Sequence, residues 1–274
     1  MHKNLKRSVS GLAVALGTAL LPLASLAQAK SDEWKFDATI YGWFPSIGGK
    51  TSFPATGSGP SIDVTADEIL DALKFTFMGT FEARKGQWGV WTDVIYLDVG
   101  ASKSATRDAT VGRQALPVGV DLNADLDMKS WIWTIAGTYT VMDSPEHRME
   151  VLAGARMIDI ENKLNWSFNG NISSLPLPGR SGTSTVEVTN WDGIVGVKGR
   201  ASFGDDRKWF VPYYVDVGTG QSKFTWQGIV GVGYAFDWGS VIGVWRYLDY
   251  ELKSSSRIET VDFNGPAIGV QFRW

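Results

Sequence analysis

The 274-residue sequence contains no cysteine. That excludes disulfides, thiolate metal ligands, a thiol nucleophile and the acylated cysteine of a lipoprotein anchor. Histidine is scarce, with His2 and His147 as the whole supply. A hydroxyl or water nucleophile at neutral pH needs a base, and imidazole is the usual one. His2 lies in a segment read below as removed. His147 stands in Ser144-Pro145-Glu146-His147, a short turn with no partner constellation around it. The expectation is a protein without catalytic residues and without a cofactor. Positive charge is not in excess either: 26 Lys and Arg face 29 Asp and Glu. A net charge of −3 speaks against a nucleic-acid partner. After residue 29 no apolar run approaches the ~18 residues of a spanning helix.

Against these absences stand 13 Trp, 13 Phe and 31 Gly. Residues 1–29 read as an export signal. Lys3, Lys6 and Arg7 precede the apolar stretch Leu12 to Leu21, and Ala27-Gln28-Ala29 is a small-x-small cleavage site. Residues 30–274 then form a single domain. Removing three bases and no acids leaves 23 − 29 = −6.

The dominant period in that domain is two. Trp34, Phe36, Ala38, Ile40, Gly42 and Phe44 alternate with polar neighbours, as do Phe75, Phe77, Gly79, Phe81 and Ala83. Ten such segments can be laid out: 34–44, 74–84, 88–99, 129–141, 148–160, 189–203, 208–217, 224–236, 240–252 and 263–274. Each approximates the 9–11 residues of a tilted membrane strand. Short connections at 85–87, 142–147, 204–207 and 237–239 alternate with longer ones at 45–73, 100–128, 161–188, 218–223 and 253–262. Short turns on one side and long loops on the other are the pattern of an outer-membrane barrel. The predicted fold is all-β: an antiparallel transmembrane barrel of about ten strands, with eight or twelve as alternatives. One short helix falls in the first long loop, where Thr65 and Glu68 make a capping box before Ile69, Leu70 and Leu73.

A soluble β-sandwich would alternate too. The tryptophans Trp34, Trp88, Trp131, Trp191, Trp209 and Trp226 argue otherwise, because they fall near strand ends. That is where the aromatic girdles of a barrel lie. The sequence also closes on Ile268, Val270, Phe272 and Trp274 alternating with Gly, Gln and Arg. This strand resembles the recognition end of outer-membrane barrels, read by their assembly machinery.

Above the expected bilayer the faces exchange character. Trp131 and Trp133 are on the row that continues upstream as Asp127, Asp125, Asn123 and Asp121, while Val118, Val120, Leu122 and Leu126 occupy the other row. The same exchange carries Met157 into Asp159, Glu161 and Lys163, Trp191 into Thr189 and Glu187, and Tyr247 into Asp249, Glu251 and Lys253. One unbroken register predicts a wall that rises past the lipid and encloses a small apolar core at its upper end. Four bulges would be the alternative. The row from Asp121 to Asp127 superficially has calcium-loop spacing, but Leu126 and Ile132 stand where such a loop needs Gly and Glu, so no metal site is expected.

The inward rows hold charges of nearly balanced sign. Glu82, Arg84, Asp93, Asp192, Lys198, Arg200, Asp216 and Arg246 are the predicted lumen network. A ring of one sign would suggest an ion-selective pore. A balanced set in a barrel of about ten strands suggests a paired plug, and a narrow channel is the alternative.

Several stretches resemble uncharacterised Gram-negative outer-membrane barrels of the opacity-protein type. They are Trp191-Asp192-Gly193-Ile194-Val195-Gly196-Val197-Lys198-Gly199-Arg200, Asp216-Val217-Gly218, Phe224-Thr225-Trp226-Gln227, Gly231-Val232-Gly233-Tyr234, Trp245-Arg246-Tyr247-Leu248-Asp249-Tyr250, Asp93-Val94-Ile95-Tyr96 and the terminal strand. The resemblance implies fold and place in the cell envelope, with lipid, lipopolysaccharide and the assembly machinery as partners. It implies no reaction. Barrels of that type usually have eight strands, against the ten counted here.

Overall fold

The computed structural model describes residues 33–51, 61–111, 116–172, 175–176, 180–253 and 258–274. The export segment at 1–29 lies outside the described residues. In chain order the elements are β1 (Trp34–Trp43), β2 (Ser46–Thr51), β3 (Ser61–Val64), α1 (Ala66–Asp71), β4 (Leu73–Lys85), β5 (Trp88–Val111) and β6 (Leu116–Asp143). They continue as β7 (His147–Ile172), β8 (Leu175–Pro176), β9 (Arg180–Phe203), β10 (Trp209–Gly220), β11 (Phe224–Ala235), β12 (Ser240–Glu251) and β13 (Ile258–Arg273).

Ten of these strands form a closed antiparallel barrel in the order β1-β4-β5-β6-β7-β9-β10-β11-β12-β13, with β13 paired back to β1. Closure runs from Asp37 opposite Arg273 to Trp43 opposite Ala267. Two further bonds finish the seam: the Phe36 amide donates to the Trp274 carbonyl at 2.8 Å, and the Trp274 amide donates back to Phe36 at 3.1 Å. Closure is what lets a sheet stand in lipid, since an open edge would present unpaired N–H and C=O groups.

The strands form where the alternation predicts them, and tight turns join them where the short connections fall. Gly86 supplies the positive φ of 61° in the turn between β4 and β5. The segment 45–73, expected as a loop around one helix, also contains β2 and β3. β2 continues β1 along β13 after a break at Phe44 and Pro45, where the Phe44 amide still donates to the Pro266 carbonyl at 3.0 Å. Pro45 has no N–H to give to a ladder, so the strand is interrupted there. β3 then pairs with β2. Helix α1 ends at Asp71, and Leu73, expected at its end, already begins β4. Both halves of its capping box are formed between Thr65 and Glu68.

The expected loops 100–128 and 161–188 are largely strand. β5, β6, β7 and β9 are 24, 28, 26 and 24 residues long. Their outer neighbours stop sooner: the β4 pairing ends with Leu73 opposite Val99, and the β10 pairing with Gly220 opposite Asp192. Beyond those points the four long strands pair among themselves. No register shift occurs where the faces exchange character. The single shift on β6 with β7 lies between Thr140 and Met142, at the short-turn end. The alternation of sides is therefore continuous, and the change from apolar to charged on the outer face comes from the residues themselves.

Candidate functional site

Because closure fixes which residues face outward, the outer wall is defined residue by residue. Val90, Ile135, Val151, Val195, Val217, Val230 and Ile268 are exposed along its middle. Trp34, Trp88, Trp209, Trp238 and Trp274 are exposed toward the short turns, and Phe75, Phe77, Trp131 and Trp191 toward the long strands. Aromatic pairs knit each rim: Trp88 meets Tyr139 at 4.8 Å between ring centroids, and Tyr96 meets Trp131 at 4.5 Å. The two pairs are eight strand positions apart on β5, which is about 26 Å of strand. Of the six predicted girdle tryptophans, five are exposed. Trp226 is half-buried, its ring tilted against Tyr247 at 4.8 Å. Trp238, absent from the predicted girdle, belongs to it, with its ring stacked on Phe236. In the terminal strand Ile268, Phe272 and Trp274 are exposed, and Val270 is half-buried.

Above the girdle the outer row is charged. Asp159, Glu161, Lys163, Glu187 and Lys253 are on it, while Ile158, Leu248, Tyr250 and Leu252 point inward and are buried. Lys74 pairs with Asp127 across β4 and β6, and this contact holds the Asp127 carboxyl below its ordinary range. The side chains of Asp121, Asn123, Asp125, Leu164, Trp166 and Val186 lie outside the described residues.

Inside, the barrel is layered. The layer nearest the short turns is ionic. Asp37 accepts from Arg84 at 2.8 Å and from Arg273 at 2.6 Å. Glu82 lies 3.3 Å from Arg84 and 2.5 Å from Lys198. Glu150 lies 3.2 Å from Lys198 and 2.7 Å from Arg148. Arg200 breaks the pattern. Its guanidinium stacks 4.1 Å over the Phe210 ring, and its Nε donates to Ser202 at 3.2 Å. Among the described residues it has no carboxylate partner.

The next layer is an apolar diaphragm of Trp91, Ala136, Leu152, Ile194 and Tyr214, with Ile229 packed against it. Above it lie the deepest charges. Arg246 donates to Asp93 at 2.7 Å, to the Tyr41 hydroxyl at 2.8 Å and to Gln227 at 2.8 Å. The Tyr41 hydroxyl donates to the other Asp93 oxygen at 2.6 Å. Gly269 permits this, because a Cβ there would stand 2.7 Å from that of Tyr41. Arg156 pairs with Asp216 and donates through Nε to Thr134 at 3.2 Å. Asp192 accepts from the Ser222 amide at 2.8 Å, while its second oxygen is buried without a hydrogen bond.

The uppermost layer is an apolar cluster that includes Trp43, Met78, Ile95, Ile132, Ile158, Leu248, Tyr250 and Phe263. Ile69 of α1 inserts into it, and Leu73 packs at its edge. Leu70, expected to share that contact, is exposed instead. A six-residue helix presents one face to the barrel, and Leu70 is one position round from it.

Six of the eight predicted lumen residues thus enter ion pairs, while Arg200 and Asp192 do not. Arg156 is the largest omission, fully buried beside Asp216. Its inward parity was legible, but nothing local marks which acid it meets. Tyr41 and Gln227 were also missed as partners of Arg246. His147 was expected without a partner constellation. Its two ring nitrogens contact the Tyr213 hydroxyl at 2.9 Å and the Met142 sulfur at 2.8 Å.

No family model and no curated protein matches the sequence. Solved structures match over most of this chain at low identity and low TM-score. The attachment invasion locus protein of Yersinia pestis is 10% identical over 89% of this chain and 99% of its own, with a TM-score of 0.34. The translocator domain of the autotransporter NalP from Neisseria meningitidis is 14% identical over 88% of each chain, at 0.36. The outer membrane protease OmpT from Escherichia coli is 8% identical over 91% and 99%, at 0.40. At those scores the class rests on this chain's own ladder: a closed, ten-stranded antiparallel barrel with one short helix.

Proposed function

We propose that the chain is a Gram-negative outer-membrane barrel whose lumen is closed, with a structural or surface-interaction role and no catalytic one. The observation that carries this reading is the alternation of layers. Two apolar layers enclose charges that are almost wholly buried, while the outer wall exposes a band of large apolar side chains. Such a wall suits lipid, and such a lumen leaves no continuous polar path. In a cell the partners are membrane lipid, lipopolysaccharide and the barrel assembly machinery, which would read Ile268, Val270, Phe272 and Trp274. The motif stretches quoted above support kinship with opacity-type surface barrels, and the strand count of ten departs from the usual eight. The non-enzymatic reading is supported at His147, which meets a phenol and a thioether instead of an acid.

A narrow channel is the second reading. The cavity at the short-turn end favours it, but that cavity is floored by Trp91, Tyr214 and Ile229. The absence of native cysteine makes the topology simple to test. Thr185→Cys, above the girdle, should react with a membrane-impermeant maleimide on intact cells. Asp205→Cys, in a short turn, should react only after the outer membrane is broken. The opposite result would overturn the placement.

A further inference from the structure

We infer that the short-turn mouth of the barrel is a binding site for a small organic anion with a flat apolar body. The cavity there measures about 470 Å³, within the ~300–1,000 Å³ of small-molecule sites. It is a blind pocket, because the diaphragm closes its inner end.

Its interior carboxylates are all engaged. The three interior carboxylates, Asp37, Glu82 and Glu150, are each engaged by two or more cations. Five cations and five carboxylates line the cavity, Asp143 and Glu146 being the two carboxylates at its rim. At the rim Glu146 is held by Arg207 at 3.0 Å, and Asp143 is exposed.

One lining cation is left without a carboxylate. Arg200 has no carboxylate among the described residues, and its Nη1 is buried without a hydrogen bond. Phe210 fixes the guanidinium plane from one side and Ser202 holds Nε. Arg200 lines the cavity, and a guanidinium without an acid partner is a group that recognises a carboxylate or phosphate. A buried donor left without a partner is costly, and an anionic ligand would supply the missing acceptor. Trp91, Tyr214 and Ile229 line the same cavity as an apolar, partly aromatic set, with the Lys198 ammonium 5.6 Å from the Trp91 ring centroid. An acid head on Arg200 and a flat body on that set use both parts of the lining. The short-turn side opens to the periplasm in the placement proposed above, so the ligand would come from there. The pocket does not depend on that placement, but its closed inner end rests on the closed lumen proposed above.

Calorimetry on the folded full-length barrel in detergent micelles tests this, with heat-modifiable migration checking that each variant is folded. Benzoate and phenyl phosphate are the carboxylate and phosphate probes. Inorganic phosphate lacks the body, and benzylamine carries the wrong charge. Saturable binding of benzoate or phenyl phosphate is expected, tighter than inorganic phosphate by tenfold or more, with none for benzylamine. Whichever of the two binds better identifies the head group. Arg200→Gln should weaken binding at least tenfold and Arg200→Lys should restore part of it. Trp91→Leu should weaken the aromatic probes and leave inorganic phosphate unchanged. The inference is overturned if neither aromatic anion binds, if benzylamine binds as well, or if a folded Arg200→Gln binds as the unmodified protein does.

Discussion

Arg246 and Asp93 are 153 residues apart in sequence and meet at 2.7 Å in the middle of the barrel. Each is 2% exposed. The pair crosses the lumen from β12 to β5, and Tyr41 and Gln227 add hydrogen bonds to it, while Arg246 Nε is buried without one. A charge this deep is tolerated because its partner and those neutral acceptors replace water.

Arg246→Ala removes one side and strands Asp93. The expected cost is about 3–5 kcal/mol, seen as a lower urea midpoint in micelles or vesicles. Arg246→Ala combined with Asp93→Asn should recover part of the loss, because no lone buried charge remains. If the single variant unfolds like the unmodified protein, water reaches the pair and the lumen is not packed.

Val195 and Glu187 share one face of β9, and both are exposed. Val195→Arg places a charge in the apolar band and should cost about 2–4 kcal/mol in a bilayer. Glu187→Arg should cost nothing measurable, since that position stands among charged neighbours above the band and opposite Glu161. Equal destabilisation of the two in vesicle unfolding would contradict the assigned depth of the membrane.

The seam between Phe36 and Trp274 predicts a failure of assembly. Removing Trp274 deletes both closing bonds and the ring stacked on Phe36 at 5.9 Å. Unassembled protein should then accumulate in the periplasm. Undiminished heat-modifiable barrel in the outer-membrane fraction would contradict this.

Ile69 is the one buried residue of α1. Ile69→Ala should lower stability by about 2 kcal/mol, near the low end for a core truncation because the site is at the rim. Removing residues 60–72 should also leave the barrel non-conducting, since the diaphragm lies far below the helix. A leak on deletion would make α1 a gate.

Much of this architecture is legible in the residues. Period two and alternating connection lengths mark the ten barrel strands, and Thr65 with Glu68 marks the helix start. Continuous parity through Met157 and Asp159 announces the upper apolar core before any packing is seen. Long-range partnership is not legible in the same way. Whether Arg84 or Arg200 finds an acid depends on the stagger of strands around the barrel, and local alternation does not encode it. Arg84 lands beside Asp37 and Glu82, whereas Arg200 lands on Phe210. β2 and β3 escape notice for a related reason. Ser46-Ile47-Gly48-Gly49-Lys50 carries one large apolar residue, too little alternation to separate a short strand from a loop.

The closed lumen is tested most directly by planar-bilayer conductance of the purified, unmodified protein beside Arg246→Ala. No steady conductance is expected from the unmodified barrel at any polarity, whatever small leak the variant acquires on losing its buried pair. Stable open channels in the unmodified protein, with ion selectivity that shifts in Arg246→Ala while stability does not, would contradict the account and establish a hydrated pore.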